Sequence, residues 1–272
     1  MRSSNFVLGG MTQRAAQGTA TAPYGAAGQP GYGQPGGYPP AAPPQAGRAM
    51  TIDDVVVRTI GLLAVTGVVA ALSWMLLPPA THGIALIGSA ITGLVLVLAI
   101  SFMQITNPFV IGAYAVVEGV FLGVVSSFFE GLFPGIVLQA VVGTFGVFAL
   151  MAVLYKSRVI RATPFVRKAI IGALVGAVAL ILVNFVFSMF STDLGLFNDP
   201  TDGQSASWLQ WVIGIALVVI AAVSFILDFD MVEQGVRHGL DQKYAWLASF
   251  GILVGLIFLY LQLLRLLAMF RE

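Results

Sequence analysis

The sequence predicts an all-α integral membrane protein of seven transmembrane helices, and three observations carry that reading. From about Val55 to Phe270 the chain is nearly one hydrophobic run, cut by short polar segments into seven stretches of bilayer-spanning length. Only 9% of the 272 residues are charged and 58% are hydrophobic, with a mean hydropathy of +0.93; soluble domains carry roughly 25% charged residues. Strand-like alternation of period two is missing, which argues against a barrel.

The elements follow in order. Residues 1–47 are rich in Gly, Pro, Ala and Gln, with Tyr24, Tyr32 and Tyr38 spaced through an imperfect repeat. Such a stretch cannot bury enough apolar area to offset its chain entropy, so it is expected to be a disordered tail, either a plain tether or a docking segment for a partner. The seven-helix domain is expected over 48–272. Its spans are 55–77, 83–104, 108–129, 134–155, 165–190, 208–228 and 245–269, each supplying the roughly 20 apolar residues a crossing needs. Asn107-Pro108 and Thr163-Pro164 read as a cap followed by a first-turn proline, and Phe133-Pro134-Gly135 marks a third start. No apolar leader precedes helix one, which is expected to act as its own insertion signal.

Orientation is read from the connections, because basic loops stay on the cytoplasmic side. The 156–168 segment carries Lys156, Arg158, Arg161, Arg167 and Lys168 without an acid, whereas 191–207 carries Asp193, Asp199 and Asp202 without a base. The first is expected inside and the second outside. That places the N-terminus in the cytoplasm and the short C-terminus outside.

Acids within or beside apolar spans are functional candidates, since a charge near the bilayer centre costs a few kcal/mol even on lenient scales. Glu118 lies midway along helix three, one turn after Tyr114. It is a candidate proton carrier or cation ligand, or else a structural hydrogen-bonding acid. Asp228 falls where helix six is expected to leave the membrane, facing the unfavourable end of the helix dipole. Asp230, two residues on, points to nearly the opposite side. Asp230 and Glu233 are secondary candidates, read chiefly as a solvated turn balanced by Arg237 and Lys243. Gly119/Gly123, Gly172/Gly176 and Gly251/Gly255 are pairs that let helices approach closely. Gln104, Asn184 and Gln262 are expected to link helices, and Trp74, Trp208, Trp211 and Trp246 to sit at interfaces.

Several classes can be argued down. There is no cysteine and therefore no disulfide or thiolate metal site. No span holds a central lysine for a Schiff base, and His82 and His238 lie at opposite ends of the expected topology, which leaves no zinc cluster. Asp228 and Asp230 share one turn, unlike the two aspartates of an intramembrane protease, and no phosphate-binding glycine loop is present. A net charge of +1 gives no reason to expect nucleic acid. The chain is not expected to be an enzyme or to carry a cofactor.

Four segments then carry a resemblance: Gly47-Arg48-Ala49-Met50-Thr51-Ile52-Asp53-Asp54-Val55 leading into helix one, Tyr114-Ala115-Val116-Val117-Glu118-Gly119, Leu227-Asp228-Phe229, and Leu263-Leu264-Arg265-Leu266-Leu267. With the opening Met1-Arg2-Ser3-Ser4-Asn5 and the Pro/Gly tail, they resemble a bacterial branch of the Bax-inhibitor family. The resemblance implies six helices around a central seventh, a place in the bacterial plasma membrane, and a pH-dependent calcium leak. It also implies an aspartate latch between helices six and seven. Asp228 matches the helix-six member, and the helix-seven position falls on Gly255 or nearby, where this chain has no acid.

Two functions are therefore expected. One is a pH-sensitive calcium or cation leak with a modified latch, in which Asp228 and Glu118 sense protons or bind cations and Asp228 is the candidate calcium ligand. The other is a non-transporting stress regulator that binds a membrane protease or another membrane protein complex.

Overall fold

The computed structural model describes residues 48–160, 162–189 and 207–271. The tail 1–47, expected to be disordered, and the acidic connection with Asp193, Asp199 and Asp202 lie outside the described residues, as do Arg161 and Glu272. Seven helices among the described residues are long and apolar enough to cross a membrane. They are α1 (Ile52–Leu76), α2 (His82–Met103), α3 (Pro108–Leu132), α4 (Ile136–Lys156), α5 (Pro164–Met189), α6 (Trp208–Arg237) and α7 (Tyr244–Met269). The chain is a multi-pass membrane protein, and its outer faces present Val57, Ile84, Phe102, Phe109 and Phe165 to the surroundings as lipid requires.

Local chemistry sets the helix ends. Thr51 and Asp54 form a capping box at α1, Ser207 and Gln210 form another at α6, and the Asn107 side chain accepts from the Phe109 amide at 2.9 Å at α3. The Glu130 carboxylate accepts from the amides of Gly135 (2.6 Å) and Val137 (3.1 Å), so the end of α3 caps the start of α4. Gly135 takes a left-handed φ of 84° in that turn.

Three helices close through a left-handed residue just past the last turn, a place that glycine normally fills. For α6 it is Gly239, but for α2 it is Gln104 and for α4 it is Arg158. Gln104, expected to link helices inside the membrane, instead ends one. At α4 the Val159 amide reaches the Leu154 carbonyl at 3.2 Å and the Arg158 amide reaches the Tyr155 carbonyl at 3.0 Å. A side chain in that conformation costs about 1 kcal/mol or more relative to glycine.

α7 is the central helix: 61% of its most apolar stretch is buried, against 11–39% for the others. It packs on α1, α3, α4 and α6, while α2 rests chiefly on α3, and α5 on α6. The tightest crossing is α1 on α3. A Cβ on Gly123 would lie 2.4 Å from the Ala70 carbonyl oxygen, and one on Gly119 would lie 2.8 Å from that of Thr66. There the Thr66 hydroxyl donates to the Ala115 carbonyl at 3.2 Å. Gly172 and Gly176, expected to pack in the same way, meet no described residue within 4 Å of an added Cβ. Since α5 lies at the edge of the bundle, that face is left to lipid.

A short strap joins the start of the bundle to the α6–α7 turn. The Met50 amide donates to the Leu240 carbonyl at 2.7 Å and the Gln242 amide to the Arg48 carbonyl at 2.9 Å. Arg58 donates to the Gln242 carbonyl at 2.8 Å and stacks over Trp246.

Candidate functional site

α6 runs on to Arg237, so the expected 229–244 loop shrinks to 238–243. Asp228 is the twenty-first of its 30 residues, about 30 Å along the helix axis, at the edge of a hydrocarbon layer of about that thickness. The helix continues for about two and a half turns beyond it. Asp228 therefore does not face the helix end that the sequence led us to expect. The polar run Asp230, Glu233, Gln234 reads like a loop, yet it is the wet end of a helix that outgrows the bilayer.

The Asp228 side chain turns inward to α7. A Cβ on Gly255 would lie 3.3 Å from its Oδ2, and one on Gly251 would lie 3.5 Å from its Oδ1. The carboxylate thus fills the notch left by a glycine pair four residues apart, one helical turn. Phe225, one turn earlier on α6 and fully buried, closes the notch, with its ring 3.0 Å from the Gly255 Cβ position. Phe148 of α4 packs edge-on behind it at 5.0 Å between ring centroids. Asp228 accepts no hydrogen bond from the described residues.

The neighbouring acids are engaged elsewhere. Asp230 pairs with Arg167 of α5 and accepts from Gln234 at 2.7 Å. Glu233 accepts the Tyr155 hydroxyl of α4 at 2.6 Å and pairs with Arg237. The balancing role expected of Lys243 is taken by Arg167, because Lys243 lies 3.7 Å from Asp241 in its own turn. Arg167 and Arg237 are therefore committed to groups other than Asp228.

Glu118 occupies a different contact. Its Oε2 lies 2.8 Å from where a Cβ on Gly93 of α2 would project, and Tyr114, one turn back, packs edge-on against Phe250 of α7. Since α3 packs on α1, α2 and α7 rather than α6, Glu118 and Asp228 face different helices and form no pair. Among the described residues no group of three or more His, Asp or Glu side chains converges as a metal site.

Two cavities flank these helices. A crevice of about 750 Å³ opens at the end of the bundle that carries the strap, with Tyr155, Lys156, Arg158, Asp230, Glu233 and Arg237 on its walls. A second, of about 310 Å³, lies among α1, α3, α4 and α7, with Thr66, Ser126, Thr144 and Tyr260 in a mostly apolar lining. The hydroxyls of Tyr260 and Ser126 meet there at 2.7 Å. Among the described residues, buried oxygens of Thr59, Asn184 and Gln262 have no hydrogen-bond partner, so no described residue makes the links expected of Asn184 and Gln262 through those oxygens.

A family model described as Bax inhibitor 1 like matches residues 9–272. No curated protein matches the chain.

Proposed function

The chain belongs to the Bax inhibitor 1-like family, and from that premise we propose that it is a non-enzymatic cation leak, calcium being the favoured ion, governed by protonation of Asp228. The observation that supports this reading is the Asp228 carboxylate, set between α6 and α7 in the Gly251/Gly255 notch with no hydrogen bond from the described residues. A carboxylate so placed takes either a proton or a cation as its neutralising partner. Exchange between the two alters the contact between the central helix and α6. With glycine at both facing positions of α7, the latch has one carboxylate.

The surrounding charges favour Asp228 as the lone titrating group of the contact. On α6, Asp230 and Glu233 hold Arg167 and Arg237. On α1, Asp54 accepts from Gln242 at 2.9 Å. The basic 156–168 connection supports a topology with the strap end and the N-terminus in the cytoplasm of a bacterial cell and the C-terminus outside.

The test is calcium-indicator influx into proteoliposomes holding the full chain, scanned from about pH 6 to 8 around the range where a buried carboxyl can titrate. A pH-dependent leak that Asp228→Asn abolishes or fixes at one level is the expected result. No leak above empty liposomes overturns the reading and moves a regulator that binds a membrane partner to first place.

A further inference from the structure

We infer that the crevice between the ends of α4 and α6 is a binding site for the phosphodiester headgroup of an anionic phospholipid, held by Lys156 and Arg158. The inference does not depend on cation transport. α4 has 21 residues, about 32 Å of helix, just enough for the hydrocarbon layer. Its last residue, Lys156, and the turn that follows therefore emerge at headgroup depth.

The charges lining the crevice do not cancel. Asp230 is matched by Arg167 and Glu233 by Arg237, which leaves Lys156 and Arg158 without an acidic partner among the described residues. Ile52, Ala152, Val232 and Phe229 supply apolar wall. A cationic rim over an apolar wall fits a phosphate with a glycerol and acyl chains below it, and basic pockets between transmembrane helices take such headgroups.

A basic loop by itself is explained by membrane topology. Topology does not explain why Arg158 holds the left-handed position, φ 57°, that closes α4. The equivalent place on α6 is Gly239, and glycine at 158 would relieve the turn without changing its hydrogen bonds. The arginine is held in a backbone conformation that disfavours it, with its side chain on the crevice wall. An outlier of this kind points to use of the side chain.

Replacement by glycine therefore separates binding from folding. The experiment titrates the purified full chain in neutral detergent with dihexanoyl phosphatidylglycerol, with dihexanoyl phosphatidylcholine and inorganic phosphate in parallel, and reads melting temperature. The wild type is expected to show a saturable rise with phosphatidylglycerol and none with phosphatidylcholine. Arg158→Gly is expected to melt no lower than wild type without lipid, yet to need at least tenfold more phosphatidylglycerol for the same rise. Arg158→Lys keeps the charge and is expected to keep most of the response, and Lys156→Gln is expected to weaken it. An Arg158→Gly response equal to wild type overturns the assignment, as does an equal rise with phosphatidylcholine. An equal rise with inorganic phosphate at the same concentration overturns the lipid as the source of the anion.

Discussion

The Oδ2 atom of Asp228 lies 3.3 Å from where a side chain on Gly255 would begin. The two positions are thus paired across the α6–α7 contact even though only one carries an acid. Gly255→Asp is expected to place a second carboxyl beside the first. Two carboxyls that close titrate as a coupled pair, so the single pH transition expected of the leak becomes two resolved steps. Phe225 must move for this, since its ring sits 3.0 Å from the new Cβ, and Gly255→Ala controls for that crowding. A Gly255→Asp profile identical to that of Gly255→Ala would show that the pairing has no functional consequence.

Asp228→Asn and Asp230→Asn are expected to differ in kind. The first removes the only carboxylate among the described residues that faces the notch, and the pH dependence of the leak should vanish with the fold intact. The second breaks the Arg167 pair between α5 and α6. The Arg167 side chain is 45% exposed and that of Asp230 16%, so about 0.5–1 kcal/mol of stability is at stake. A small drop in melting temperature and an unchanged pH midpoint are the expected signs of Asp230→Asn. A shifted midpoint would mean that the pair takes part in gating.

Glu118→Gln combined with Asp228→Asn tests whether the two acids act together. Because Glu118 faces Gly93 of α2 and Asp228 faces α7, their effects on leak rate, expressed as free energies, are expected to add within about 0.5 kcal/mol. Larger coupling in the double-mutant cycle would require a link that the packing of α3 and α6 does not provide.

The helices were legible because lipid imposes one rule on them all: twenty or so apolar residues between polar ends. The end of α6 was not, because once a helix clears the bilayer its residues become polar and resemble a loop. Asp228 stood out by its place near the end of an apolar span, but neither its facing nor its partner did. Only the register of α7 against α6 shows that Gly251 and Gly255 meet it. Glu118 stood out as an acid in an apolar helix, yet its neighbour Gly93 has no side chain to announce the contact. In the sequence Arg158 is one of five bases in a topology-setting loop, and nothing in that composition signals a left-handed backbone.

The glycine pairs separate under a one-methyl probe, although in sequence they look alike. At Gly123 an added Cβ would fall 2.4 Å from the Ala70 carbonyl oxygen and 2.8 Å from the Ser73 Cβ. Backbone on one side and a stiff helix on the other leave little room to yield, and overpacking of this sort costs about 1–3 kcal/mol. Gly176 has no described residue within 4 Å of the same position, and there alanine gains helix propensity of up to about 1 kcal/mol. Thermal unfolding of the purified chain is therefore expected to place Gly123→Ala clearly below wild type and Gly176→Ala level with or above it. A destabilised Gly176→Ala would mean that the open face of α5 is covered in the native assembly, and would turn that edge helix into a contact surface.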